Sequence, residues 1–442
     1  MMYIIQQIIF IIVLAAASFI FYKKISAIRR NIFLGRPESF EGDKSLRWRN
    51  VLLLALGQKK MFKRMTPAVL HFFVYAGFLI INIEMMEIVL DGIFGTHRMF
   101  SPFLGGFYKV LLGMFEFLAF TVLSACVIFL IRRNITKVKR LTTGKLSAGW
   151  PKTDANLILI TEIVLMSLLL IMNATDYNLQ QLNSGHYPET GSFLISQYIA
   201  PIFSGLSEGT LIGIERTAWW MHIVGILAFL NYLPYSKHLH IILAFPNAYY
   251  TSLEPAGKMR NMEDIQKEVL YMMDPSQAPT EIPAEEHPPR FGAKDVMDLS
   301  WKSLMDAYAC TECGRCTAVC PANMTGKLLS PRKIMMDTRD RLEEIGKNID
   351  ANKEFIDDGK ALLHDYVTTE ELWACTSCNA CVEACPVSIN PLNIITELKR
   401  NLYMEESNAP QEWMMMSSNI ETNFAPWKMS ADDRDKWARE ME

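Results

Sequence analysis

Basic residues have no surplus in this chain: Lys and Arg total 44 against 47 Asp and Glu, for a net charge of -3. That balance argues against a nucleic-acid partner. Cysteine is almost missing outside one region, since of nine cysteines only Cys126 lies outside residues 310–385. Cys126 sits in an apolar stretch and reads as a small core- or lipid-facing side chain. A basic segment ahead of the first apolar run is also missing, while Lys23 and Lys24 follow it. That run therefore reads as a retained span, not a cleaved signal, despite Ala15, Ala16, Ala17 and Ser18.

What is present divides the chain unevenly. Residues 1–245 carry long apolar stretches, and the remainder is polar and charged. Five stretches, near 3–22, 66–90, 110–131, 155–173 and 217–236, approach or exceed the roughly 18 to 20 apolar residues that cross a bilayer. Lys and Arg resist translocation and so report orientation. Residues 23–65 hold twelve of them and residues 132–154 seven, whereas residues 91–109 hold only Arg98 and Lys109, and residues 174–216 only Arg216. The expectation is a multi-pass protein of the cytoplasmic membrane with its N-terminus outside and everything after Lys237 in the cytoplasm. Thiols there stay reduced.

Three histidines fall at membrane depth or its edge. His222 and His240 are eighteen residues apart, five turns of a continuous helix, so both would share one face roughly 27 Å apart along the axis. His238 would lie on the other side, and Pro234 disturbs the phase. On the expected topology His71 and His240 lie at matching depth on the cytoplasmic side, where two axial ligands of one haem b belong. Equally, they could be satisfied polar residues at a helix boundary. His222 would suit a second haem, but Ile81 stands at the equivalent depth on the second span, leaving Asn82, Met85 or His97 as partner; otherwise His222 is an interfacial residue beside Trp219 and Trp220. His97 and His186 read as ordinary surface residues. Glu84, Glu116 and Glu162 are candidates for proton handling beside a quinone, because a carboxylate at depth is costly unless paired, protonated or wet. Glu87, near its span's end, reads as a carboxylate reaching for the headgroups.

Residues 246–293 form a linker rich in Pro and Glu, notably Pro275 to Arg290. Then CTECGRCTAVCP, from Cys310, returns as CTSCNACVEACP, from Cys375. Secreted disulfide frameworks are small and rarely show two such regular runs. In the spacing C-x2-C-x2-C-x3-C-P, three thiolates wrap one cubane and the fourth reaches the other. Cys310, Cys313 and Cys316 thus join Cys385, while Cys375, Cys378 and Cys381 join Cys320, giving two [4Fe-4S] clusters. Two zinc sites are the rival reading, though they typically use separated C-x2-C pairs. Between the runs, Ile334, Leu342 and Ile345 recur at helical period, and Val367, Thr368, Thr369 and Glu370 read as a Thr cap. His364 reads as a surface residue.

With Ser330, Pro331, Arg332 and Lys333 between them, the two runs make residues 294–402 resemble the helical iron-sulfur subunits of heterodisulfide reductase, anaerobic glycerol-3-phosphate dehydrogenase and succinate dehydrogenase. Residues 1–245, through His71, His222 and the stretch Pro234 to His240, resemble the cytochrome b subunit of respiratory nitrate reductase and the related heterodisulfide reductase subunit. That family often has a second histidine in span two, where this chain has Ile81. Together the parts resemble the N-terminal portion of membrane oxidoreductases that pass electrons from electron-transfer flavoprotein to methylmenaquinone and continue into a CCG-type region. Asn419 to Trp427 and Arg434 to Trp437 look like the junction to it, and no cysteine follows Cys385. The expectation is that a CCG-type subunit is separate and docks on residues 403–442.

The expected fold is mainly α, a five-helix transmembrane bundle with a C-terminal α-helical dicluster ferredoxin domain. The resemblance implies a redox subunit moving electrons between a cytoplasmic partner, two [4Fe-4S] clusters, haem b and menaquinone in the lipid. Its rivals are an electron relay without a quinone site and a zinc-stapled membrane scaffold.

Overall fold

A computed structural model describes residues 2–144, 149–191, 193–255, 257–278 and 290–441. Most of the linker's Pro- and Glu-rich run, residues 279–289, lies outside the described residues. Among the described residues the regular structure is helical, with two isolated bridges, Arg36 to Ser300 and Leu363 to Val367.

Four helices are long and apolar enough to cross a membrane: α1 (Met2–Ile32), α2 (Met65–Phe94), α3 (Gly106–Asn134) and α4 (Trp150–Gln181). Each outruns the apolar core expected from the sequence, because polar flanks such as Lys23 to Arg30 and Thr175 to Gln181 continue the same helix. In place of the fifth expected span stands α5 (Glu208–Tyr232). It packs along α4 and against α1, but it is not among the four; Glu208, Glu215, Arg216, His222 and Asn231 dilute its apolar content.

The helix does not continue from His222 to His240, which corrects the five-turn expectation. Pro234 lacks the N–H that the next turn needs, and the chain passes through 3-10 turns at Leu233–Tyr235 and Lys237–Leu239, joined by extended Ser236. Buried Asp154 of α4 fastens this break, accepting from Ser236 Oγ (2.6 Å), the Lys237 N–H (3.3 Å) and the Tyr232 hydroxyl. Helix α6 (His240–Tyr249) then starts on a new axis.

The cysteine-bearing domain sits on one end of the bundle. α7 (Trp301–Ala309), α8 (Pro331–Asn352) and α9 (Pro391–Met404) form its core. Ile334, Leu342 and Ile345 are fully buried there, as their period requires. Ser330 caps α8 by accepting from the Lys333 N–H (3.3 Å), with Pro331 at the first turn, where a missing N–H costs nothing. Thr368 and Glu371 close a capping box before helix Thr369–Trp373. Contacts to the bundle run through α1, where Lys24 pairs with Glu343 (3.1 Å) and the Asn31 amide donates to the Tyr308 hydroxyl (3.1 Å). The ends of α1, α3 and α5 and the starts of α2 and α4 thus face the cysteine domain, and loops 95–105 and 182–207 lie at the other end.

Arg341 is fully buried in that domain and bridges Asp295 (2.8 Å), Asp358 (2.6 Å) and the Lys360 carbonyl (2.8 Å). Its replacement by Ala leaves two carboxylates without their shared cation. A loss of about 3 kcal/mol in urea unfolding of the cysteine domain is expected, at the low end for a broken buried pair because both acids are partly exposed.

Candidate redox centres

The two cysteine runs adopt one backbone shape. In the first, Glu312 (φ 53°) and Gly314 (φ 71°) are left-handed; in the second, Ser377 (φ 56°) and Asn379 (φ 61°) are. Each then enters a short helix, Arg315–Ala318 or Ala380–Ala384, and ends on an extended cysteine, Cys320 or Cys385, before proline. Left-handed non-glycine residues cost about 1 kcal/mol or more each, so three of them repeated at matching positions mark a loop shaped for what it surrounds. Gly314 is required for a second reason, since a Cβ there would meet the Arg140 carbonyl at 2.7 Å.

The runs interlock through their short helices. The second set, Cys375, Cys378, Cys381 and Cys320, lines one cleft, with Cys320 coming from the other run. In the first set, Cys316 has Cys313, Cys310 and Cys385 as its neighbouring thiols. Cys320 thus lies beside the thiols of the second run, and Cys385 beside those of the first. Burial pushes the thiols of Cys310, Cys381 and Cys385 up to about 12, reinforced by neighbouring sulfurs, and raises Cys316 too. Thiols this reluctant to ionise become ligands when bound iron takes the proton's place. Among the described residues no three or more His, Cys, Asp or Glu gather closely enough for a single metal ion; four thiolates per site is the donor chemistry of an iron-sulfur cubane. Backbone donors already point at sulfur, from Ser377 N to Cys375 Sγ (3.4 Å) and from Ile389 N to Cys385 Sγ (3.3 Å).

The sets differ in surroundings. Cys378 is exposed, so the second set meets solvent. The first set lies against the bundle: Arg140 donates to the Cys313 carbonyl (2.6 Å), and Arg315 donates to the Lys60 carbonyl (3.2 Å). Lys237 pairs with Glu312 of the first loop and lies 3.6 Å from Asp154.

At the same end of the bundle the His71 and His240 rings face each other, centroids 6.4 Å apart. Each Nδ1 is engaged, His71 with Gln58 Oε1 (3.1 Å) and His240 with the Lys237 carbonyl (3.0 Å). Both Nε2 atoms remain for a ligand, an outer hydrogen bond fixing ring orientation as in metal-binding imidazoles. His238, which helical phase would set apart, lies 5.5 Å from the His240 ring because of the break at Pro234. Gln58 carries no sequence signal.

His222 is buried and its Nδ1 meets the Leu165 carbonyl (2.9 Å). Of its candidate partners, exposed Asn82 donates to the Phe78 carbonyl, His97 lies 3.3 Å from Asp176, and Met85 packs in the bundle core with Ile81. Cys126 is buried in that core, and Glu162 lies near it. Glu116 accepts from Asn173 Nδ2 (3.1 Å) and the Ile195 N–H (2.8 Å). Glu84 is buried beside Arg98 (3.5 Å). Two surface expectations are overturned. Glu87 is 2% exposed and accepts from the Phe100 N–H (2.7 Å) and the Tyr108 hydroxyl (2.8 Å); loop 95–105 folds over the helix end and gives it donors in place of headgroups. His97 is likewise drawn inward by buried Asp176, while His186 stays exposed. His364 lies at the surface, paired with Glu406 (2.8 Å).

Residues 309–389 match the family described as 4Fe-4S dicluster domain, which supports two [4Fe-4S] clusters over zinc. The chain is 27% identical to a probable iron-sulfur-binding oxidoreductase, FadF, of Bacillus subtilis, over 98% of this chain and 61% of the relative. It is also 27% identical to an EtfAB:quinone oxidoreductase of Syntrophomonas wolfei, over 98% of this chain and 60% of that one. A subunit of the ferredoxin/F(420)H(2)-dependent CoB-CoM heterodisulfide reductase of Methanosarcina acetivorans is 31% identical over 34% of this chain and 76% of its own length. The chain spans about three-fifths of the length of the first two relatives. No solved structure matches it.

Proposed function

We propose that this chain, which belongs to the iron-sulfur oxidoreductases that share the dicluster domain of that heterodisulfide reductase subunit, is a membrane electron-transfer subunit linking a cytoplasmic redox partner to menaquinone. The observation that supports this reading is that the loop bearing Cys313 packs on the end of the helical bundle where His71 and His240 face each other, while Cys378 is exposed. Along the proposed path the exposed set Cys375, Cys378, Cys381 and Cys320 comes first, then the set Cys310, Cys313, Cys316 and Cys385, then the facing pair His71 and His240. Clusters held by the thiols and haem b held by the imidazoles supply one-electron steps at fixed positions. The protein's own part is positional. Arg140 and Arg315 clamp the first loop to the bundle, Lys237 ties that loop to the segment bearing His240, and Gln58 and the Lys237 carbonyl aim the two rings.

In this reading α5 is a fifth span, the N-terminus is outside and the dicluster domain is cytoplasmic, as the basic loops at its end of the bundle favour. His222 would serve a second haem only with a partner brought by rearrangement. The Syntrophomonas relative, an EtfAB:quinone oxidoreductase by name, favours an electron-transfer flavoprotein as donor and a quinone as acceptor. A CCG-type heterodisulfide-reductase-like partner fits the exposed rim near Cys378, where Trp413 of α10 (Gln411–Asn423) lies 5.2 Å from Trp373.

The test uses the full chain reduced with dithionite, freed of excess reductant and mixed with menadione. Haem and cluster absorbance should both return to the oxidised form within seconds. A reduced chain with haem and clusters that menadione leaves untouched would make it a relay without a quinone site.

A further inference from the structure

Three arginines converge on the loop that bears Cys310, Cys313 and Cys316. Arg315 and Arg332 are 4% exposed, and Arg140 is half-buried. Their donors meet uncharged acceptors: Arg140 the Cys313 carbonyl, Arg315 the Lys60 carbonyl and Met61 Sδ (3.3 Å), and Arg332 the carbonyls of Arg140 (3.0 Å) and Thr143 (2.8 Å). Among the described residues none of the three forms an ion pair with a carboxylate. Glu312, the acid of this loop, is shared between Lys237 and Arg339 (2.8 Å). Taking a cation out of water is costly without a nearby anion. Burial disfavours the charge on each arginine, and what opposes burial is led by a thiol of this loop, Cys313 for Arg140 and Arg315 and Cys316 for Arg332.

The second loop is built differently. A Cβ at Gly314 would stand 2.8 Å from Arg332 Nη1, so glycine in the first loop admits this guanidinium, whereas the matching position of the second loop is Asn379. The backbone of the second loop receives Lys399, which donates to the Cys375 carbonyl (2.7 Å), and its acid Glu383 pairs with Lys63 at the surface. A cubane held by four thiolates is an anion, and one-electron reduction adds a further negative charge. Fixed cations beside it therefore favour the reduced form and raise its potential. At roughly 10 Å in a protein interior each unit charge favours that form by about tenfold. Three together outweigh the opposite pull of burial, which disfavours added charge.

Resting on the dicluster reading above, we propose that Arg140, Arg315 and Arg332 hold the cluster of Cys310, Cys313, Cys316 and Cys385 at the higher reduction potential of the two. An electron entering at the exposed set near Cys378 then moves downhill to the set beside the bundle, the outer cluster losing one electron for each that the inner one gains.

The test is a redox titration of the full chain, purified without oxygen and followed by electron paramagnetic resonance. The signal missing from Cys310→Ser belongs to the first cluster, and in the wild type it should carry the higher midpoint. Arg332→Gln should favour the oxidised form of that cluster by about tenfold, a fall of about 59 mV for one electron, and leave the other midpoint in place. Arg332→Lys, which keeps the charge, should restore most of the shift. Arg140→Gln, at a less buried position, should act in the same direction and serves if Arg332→Gln does not keep its iron. A lower midpoint for the first cluster, or Gln variants with full iron content and unshifted midpoints, overturns the proposal. A wild type without iron-sulfur signals overturns the dicluster reading itself.

Discussion

Changing Cys320 to Ser is expected to empty the site of the other run. The variant should keep about four of about eight irons per chain, and the cluster lost should be the one framed by Cys375, Cys378 and Cys381. The reason is geometric. Cys320 shares its cleft with those three residues, while Cys316 is grouped with Cys310, Cys313 and Cys385. Cys320→Ser should therefore resemble Cys375→Ser in iron content and in the electron paramagnetic resonance of the remaining cluster. The double variant should be no worse than either single one, since both remove the same cluster. Combining Cys320→Ser with Cys310→Ser should instead remove nearly all the iron. If Cys320→Ser grouped with Cys310→Ser in its remaining signal, ligation would follow the runs and the crosswise assignment would be wrong.

The second large effect is expected at His240. If the proposed haem is held by this pair, His240→Ala or His71→Ala should abolish its Soret band while leaving iron-sulfur absorbance in place, because either change removes one of two imidazoles whose rings lie 6.4 Å apart. Two nitrogens at roughly 2 Å from one metal, each about 1 Å from its own ring centre, place ring centres roughly 6 Å apart. Gln58→Leu is milder, since it removes only the acceptor at His71 Nδ1. It should weaken haem retention by about 10-fold, as losses of outer hydrogen bonds to metal ligands do. Wild-type haem content in His240→Ala would end the bis-histidine proposal, and His222 would be the next residue to change.

The cysteine loops were legible because their shape is written in short spacing. Two residues between thiols, then three, then proline, dictate a loop, and the loop repeats with Glu312 and Gly314 matched by Ser377 and Asn379. Matching depth also paired His71 with His240, although by a route the chain does not take. The intervening helix breaks at Pro234, and Asp154 holds the break, an interaction between residues about eighty positions apart that no local pattern encodes. The same applies to Gln58. Glu87 and His97 were misplaced for one shared reason: loop 95–105 turns back over the helix ends, so a span's edge by sequence becomes interior by tertiary structure. Arg98 escaped notice as one of few basic residues in an outer loop, yet it is 5% exposed and organises Asp176 and Asn173. Scarcity of charge in that loop gave no hint that Arg98 would be buried among polar groups.

The account stands most directly on metal and sulfide analysis of the full chain purified without oxygen. It predicts about eight cluster irons and about eight acid-labile sulfides per chain, with an absorbance near roughly 400 nm that dithionite bleaches. A colourless preparation holding zinc in place of that iron would contradict it.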